Sequence, residues 1–280
     1  MRMTEVELKT QLKSRSICVV IPTYNNEKTI KTVVEKTLCY CTDVIVVADG
    51  CTDNTLKILR GIPQITIISY PKNKGKGYAL KAGFKTALAK GFSYAITLDG
   101  DGQHYPEDIQ LFLRANQQYP HSLIIGSRQL EGVERSSGSK FANHFSNFWF
   151  YIQTGRALRD TQTGYRLYPL KRLHGLSLLT SRYEAELELL VFASWHGVKL
   201  VSIPIGVYYP PRTERVSHFR PGIDFARISL LNTILCFLAV VYGLPLRLGR
   251  LFMQVIRTVY SLLFFLFFTL VVFTPFVWVK

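Results

Sequence analysis

Short apolar runs alternate with polar turns and longer mixed stretches along most of the chain. Ile17–Pro22, Val44–Val47, Ile65–Ser69, Tyr94–Leu98, Ser122–Arg128 and Leu200–Ile205 are rich in Ile, Val and Leu, the pattern of buried strands. Between them, Thr29–Leu38, Asn54–Leu59, Tyr78–Ala89, Lys140–Gln153 and Tyr183–Trp195 predict helices, and Pro106-Glu107-Asp108 starts another. Strand, polar turn and helix recur at spacings short enough for right-handed crossovers. The fold class expected is α/β, with a Rossmann-like, mostly parallel, doubly wound sheet. This region occupies 16–222, after an N-terminal extension, 1–15, and before a membrane-associated segment, 223–280.

The apolar pattern changes near the C-terminus. Thr258 to Val279 is 22 residues without a charge. As a helix it reaches about 33 Å, enough to cross a bilayer. Ile228 to Leu246 is a second uncharged stretch of 19 residues, but it contains Asn232, Gly243 and Pro245 and reads as interfacial or membrane-embedded. Arg247, Arg250 and Arg257 separate the two. The tendency of positive charge to stay inside then favours one crossing, 258–279, with the C-terminus outside. Met1–Glu7 has no apolar signal-peptide core, so the globular part is expected at the cytoplasmic membrane, facing the cytoplasm.

A net charge of +15 sends the chain toward phosphate-rich partners: nucleic acid, anionic lipid or phosphorylated substrates. The basic residues Arg212, Arg215, His218 and Arg220 gather beside the membrane stretch and no nucleic-acid recognition motif is present, which argues against nucleic acid. That cluster reads as a collar for anionic lipid, a substrate site, or both. Five cysteines fit no zinc spacing and no Cys-x-x-Cys pair, so they read as reduced thiols. The aromatic residues Phe141, Phe145, Phe148 and Trp149 recur at helical spacing, which marks a core or membrane-facing side. Glu131–Ser139, with three serines and two glycines, is the candidate mobile loop.

The chemistry falls at the strand ends. Asp99-Gly100-Asp101-Gly102-Gln103-His104 puts two carboxylates one residue apart at a strand's carboxyl edge, where open α/β sheets bind ligands. Asp-Gly is also ordinary turn vocabulary, and the turn gains weight only from its company. An EF-hand loop is excluded, because His104 stands where its glycine belongs and Gln110 where its bidentate glutamate belongs. The topology brings Tyr24, Glu27, Asp49 and Lys74 to the same crevice as Asp99 and Asp101. All-oxygen ligands from Asp99, Asp101 and Gln103 suit Mg²⁺ or Mn²⁺ better than zinc.

Together these turns resemble the family 2 glycosyltransferases of GT-A fold, and among them the dolichol- or polyprenyl-phosphate sugar synthases. Seven segments carry the likeness in order: Val20–Glu27, Val46–Thr55, Asn73–Gly77, Asp99–His104, Ile125–Arg128, Asp160–Arg166 and Val201–Ile205. The resemblance implies that Pro22, Tyr24, Glu27 and Asp49 hold the nucleotide base and ribose, and that Asp99, Asp101 and Gln103 hold a metal at the donor diphosphate. It implies a metal-dependent, inverting transfer of a hexose from a nucleotide-diphosphate sugar to a membrane-held acceptor, polyprenyl phosphate. Ala48 departs from the usual Asp-Asp pair, leaving more of base recognition to Asp49, and Cys51 replaces a common serine.

Guanidinium groups match phosphate oxygens, so Arg128, Arg166, Arg212, Arg215 and Arg220 are candidates for the acceptor phosphate. If the acceptor is instead a hydroxyl, something must take its proton, and Asp160 is the candidate; its other reading is a cap on the Thr161 turn. A nicotinamide-dependent oxidoreductase is the enzyme alternative, resting on Gly75-Lys76-Gly77, with Leu80 where its third glycine should be. A non-enzymatic membrane scaffold has only the basic charge and the apolar tail in its favour.

Overall fold

The computed structural model describes residues 3–129, 137–176, 178–209 and 221–273. Among them seven strands form one sheet: β1 (Ile17–Thr23), β2 (Val44–Asp49), β3 (Thr66–Tyr70), β4 (Tyr94–Thr97), β5 (Leu123–Arg128), β6 (Arg166–Pro169) and β7 (Leu200–Ile205). Their spatial order is β3-β2-β1-β4-β6-β5-β7. The pairs β1–β2, β2–β3, β1–β4 and β5–β7 are parallel, while β6 runs antiparallel to both its neighbours. The chain winds outward from β1 to β3 and then returns to β1's other side with β4. The switch point therefore lies between the carboxyl ends of β1 and β4.

The period of two along β1 explains the layers. Ile17, Val19 and Ile21 face one core with α1 (Glu5–Ser14), α2 (Ile30–Tyr40), α3 (Thr55–Arg60) and α5 (Ile109–Gln118). Cys18 and Val20 face the other, with α4 (Lys76–Ala89), α6 (Ser137–Thr154), α7 (Leu170–Leu173) and α8 (Glu184–Trp195). Pro22 sits inside β1, where a missing N–H would ordinarily break a ladder. The Val20 carbonyl on its side of the strand accepts from Leu98, and β4 ends at Thr97, so Pro22 leaves no ladder bond undone.

The N-terminal extension belongs to this core. A capping box between Thr4 and Glu7 starts α1, and Leu8 and Leu12 bury against the first layer. At the other end, α9 (Pro221–Leu238) passes through a π-helical turn at Ala239–Gly243 into α10 (Leu244–Phe273). Leu231 and Leu235 of α9 are buried with the second layer, and the Asn232 side chain accepts a hydrogen bond from Gln153 at 3.0 Å. Trp195 fixes the π turn: its indole donates to the Gln153 carbonyl at 2.9 Å, and a Cβ on Gly243 would meet the ring at 2.7 Å. Among the described residues one helical run, Phe225–Leu263, is long and apolar enough to cross a membrane.

Candidate active site

The loops after β1 and β2 are laced together. Asn25 exchanges two hydrogen bonds with Thr52, at 2.8 and 3.0 Å, and the Asn26 N–H donates to Thr55 Oγ1. The Glu27 carboxylate accepts from the backbone and side chain of Asn54, while the Glu27 N–H donates to Asp53 at 3.1 Å. Burial alone would push the Asp53 carboxyl up, but the donors from Thr55 and Glu27 hold it below the ordinary carboxylate range. Asp49 ends β2 at 3% exposure, and its two oxygens accept the backbone N–H groups of Lys74 and Gly75 at 2.7 and 2.8 Å. Gly75 makes this possible with φ of +97°, a conformation that favours glycine.

This grip also decides which lysine faces the site. Lys74 contributes its N–H to Asp49, but its ammonium lies over the Tyr78 ring at 4.4 Å and bonds the Tyr78 hydroxyl. Lys76, the first residue of α4, reaches instead to Asp99 Oδ1 at 2.7 Å and Glu186 Oε2 at 2.8 Å. Burial works against the Lys76 charge, and the two carboxylates outweigh it, holding the ammonium above the ordinary lysine range. Lys76 holds Asp99 ionised in return.

The turn after β4 is fixed on both sides. Thr29 Oγ1 donates to the Gly100 carbonyl at 2.7 Å, and the Gln103 N–H donates to Asp101 Oδ1 at 3.0 Å. The Gln103 carbonyl accepts from Tyr208, and His104 pairs with Val207 across an isolated bridge. Burial, with Asp99 second, raises the Asp101 carboxyl to about 6. Burial lowers His104 to about 4, leaving a neutral ring at neutral pH. Two carboxylates that resist sharing negative charge, one already drawn to an ammonium, could hold a hard divalent cation. Asp99, Asp101 and the Gln103 amide are the residues of this turn that could contribute to such a site; among the described residues no group of three or more His, Cys, Asp or Glu is suited to a metal.

Around β6 the structure gives two candidate residues partners within the fold. Arg166 is fully buried at 0% exposure, donating to the carbonyls of Glu186 and Thr161, both at 2.8 Å, and to the Tyr168 hydroxyl. Such a guanidinium is held within the core by these acceptors, away from the solvent-facing side an acceptor phosphate would approach. Asp160 accepts Arg128 Nε and Nη2 at 2.6 and 2.9 Å, and the backbone N–H groups of Arg128 and Gln162. Its lone pairs are committed to these donors, the arrangement of a partner for Arg128 and a cap on the Thr161 turn. Arg128 is correspondingly neutralised, with Nη1 on the Tyr209 hydroxyl at 3.4 Å. Pro22 is buried in β1, and Tyr24 is half-buried at its end beside the laced loops. Arg212, Arg215, His218 and Arg220 lie outside the described residues, as does most of the expected mobile loop.

Lys76 and Glu186 are the site residues that sequence reasoning passed over. A signal for Glu186 was present: Glu184, Glu186 and Glu188 interrupt a helix whose other residues, Ser194 apart, are apolar, and buried carboxylates need partners.

Acidic turns gathered at the switch point of a doubly wound sheet stand where open α/β folds bind ligands. The chain belongs to glycosyl transferase family 2, whose model matches residues 18–169, and it is a glycosyltransferase. It is similar to the UDP-N-acetylglucosamine--dolichyl-phosphate N-acetylglucosaminyltransferase of Methanococcus voltae, 30% identical over 220 residues, covering 71% of this chain and 88% of that one. The polyprenol monophosphomannose synthase of Mycolicibacterium smegmatis is 31% identical over 204 residues, covering 67% of this chain and 75% of that one. Among solved structures, glucosyl-3-phosphoglycerate synthase from Mycobacterium tuberculosis, in complex with Mn²⁺, UDP and phosphoglyceric acid, superposes with TM-score 0.62. It is 19% identical, and the match covers 86% of this chain and 82% of that one. The same enzyme with Mg²⁺ and UDP gives TM-score 0.59. The fold is GT-A.

Proposed function

We propose that the chain transfers a hexose from a nucleotide-diphosphate sugar to polyprenyl phosphate at the cytoplasmic face of a membrane, with inversion at the sugar and with Mg²⁺ or Mn²⁺. The observation that carries this reading is the Asp99–Asp101 turn, held at the switch point beside the laced loops of Tyr24, Glu27 and Asp49. Asp99, Asp101 and Gln103 would hold the cation, which when bound neutralises the leaving diphosphate. The loops after β1 and β2 would hold the nucleoside, through the Asp49 and Glu27 carboxylates and the Tyr24 ring.

The state of Asp160 favours a phosphate acceptor over a hydroxyl one. A phosphate nucleophile is already ionised and attacks without a strong base, whereas a hydroxyl needs one. Asp160 has no lone pair to offer. The acceptor phosphate falls to the Arg128 Nη1 edge and to Arg212, Arg215 and Arg220. Membrane contact is supported by the exposed apolar side chains of α6 and α9, among them Phe141, Phe148, Ile152, Leu230 and Phe237. They would lay the crevice at the level of the lipid phosphates.

Membranes carrying the protein, incubated with polyprenyl phosphate and a panel of UDP- and GDP-sugars, should yield one glycosylated lipid phosphate by mass spectrometry. Chelator should remove the product, Mg²⁺ or Mn²⁺ should restore it, and Asp101→Asn should nearly abolish it in a folded protein. Full turnover in excess chelator, or product found only on hydroxyl lipids, would overturn the reading.

A further inference from the structure

We infer that Lys76 is an internal counter-ion for Asp99 that makes divalent-cation binding depend on the nucleotide diphosphate. The inference rests on the cation site proposed above and concerns what that site does before donor arrives. Lys76 Nζ stands 2.7 Å from Asp99 and 2.8 Å from Glu186. The side chains of Lys76, Asp99 and Glu186 keep 15%, 22% and 9% of their exposure. The ammonium therefore neutralises a would-be metal ligand in a pocket where water screens poorly.

The backbone holds this ion pair in place. Gly75 and Tyr78, on either side of Lys76, donate their N–H groups to Asp49 and to the Ser181 carbonyl. Gly77 of α4 packs directly on Ala185 of α8, next to Glu186 in sequence. Gly164 covers the pair: a Cβ there would meet Asp99 Oδ2 at 2.5 Å and Lys76 Nζ at 2.6 Å. Thr97 Oγ1 fixes that cover by donating to the Gly164 carbonyl. Lys76 thus has two anchors, and only Asp99 is a proposed ligand.

A bare cation would have to share Asp99 with a fixed positive charge. A nucleotide diphosphate supplies new anionic oxygens, so Lys76 can pass from Asp99 to a phosphate while Glu186 keeps its stem in position. Cation and nucleotide then bind with positive coupling, each raising the affinity of the other by the same factor.

The test is equilibrium binding to the purified full chain in detergent, with Mn²⁺ followed by electron paramagnetic resonance and UDP and GDP by calorimetry. Wild type should bind Mn²⁺ at least about tenfold more tightly with saturating nucleotide than without it. Lys76→Met should bind bare Mn²⁺ about tenfold more tightly than wild type, bind metal-free nucleotide more weakly, and lose most of the coupling. Lys85→Met, an exposed lysine further along α4, should change none of these values. Glu186→Gln leaves Lys76 to Asp99 alone and should weaken bare Mn²⁺ binding, an arm that stands if Lys76→Met fails to fold. Unchanged coupling in Lys76→Met, or bare Mn²⁺ affinity unchanged or tightened in Glu186→Gln, would overturn the inference. Wild type that binds no Mn²⁺ with either nucleotide would instead overturn the cation site.

Discussion

Arg166 donates to two main-chain carbonyls and a tyrosine hydroxyl inside the core, so removing it strands acceptors that no water can reach. Arg166→Met is expected to destabilise the fold by about 2–4 kcal/mol, read as a fall in thermal midpoint, without a selective rise in acceptor KM. A normal midpoint with weak acceptor binding would return Arg166 to the phosphate site. Asp53 contributes to the pH dependence of stability. Its folded pKa is lowered, so its stabilisation is present above the ordinary aspartate pKa and is lost as pH falls through the lowered value. Asp53→Ala should melt below wild type at pH 7, and the gap should close as the pH is brought down through the acidic range. The placement of Asp99 and Asp101 was legible in the sequence, because a polar turn that ends an apolar run puts carboxylates at a strand's end. The roles of Lys76 and Arg166 were not, because they are set by Glu186, in one case by its carboxylate and in the other by its carbonyl, from a helix that begins far along the chain.

At the scale of elements, alternation and turn chemistry placed β1 to β5 and β7 within one or two residues, since a buried strand bounded by polar turns has few other readings. β6 escaped because it is four residues long and begins with the arginine that looked like a ligand. α1 escaped because only Leu8 and Leu12 bury, too sparse a stripe to stand out among charged residues. The π turn was foreshadowed by Gly243 without being visible, because its cause is the Trp195 ring against it. Gly243→Leu must push that ring or the helix aside. A loss of about 1–3 kcal/mol is expected, together with a changed Trp195 fluorescence maximum. An unaltered spectrum and midpoint would mean that α9 and α10 do not depend on the Trp195 contact.

For the whole molecule, the continuity of the last helices bears on the single crossing expected from the sequence. α10 runs unbroken from Leu244 to Phe273, through Arg247, Arg250 and Arg257, with no turn to fold the two apolar stretches into a hairpin. Arg247 Nη1 would lie 3.3 Å from a Cβ on Gly155, and the Arg250 side chain packs beside Gly197, so the first two arginines stay with the catalytic domain. Leu231 and Leu235 tie α9 to the same domain. Beyond these contacts Leu251, Phe252, Val255, Val259, Tyr260, Leu262 and Leu263 are all exposed, which suits lipid and not water. We propose a single crossing that begins after the arginines, which would keep their positive charge on the side of the domain. A periplasmic-active reporter fused after Lys280 in a bacterial host is therefore expected to be active. A cysteine introduced by Phe252→Cys should resist impermeant maleimide from outside. An inactive reporter, together with labelling of that cysteine from outside, would establish two crossings.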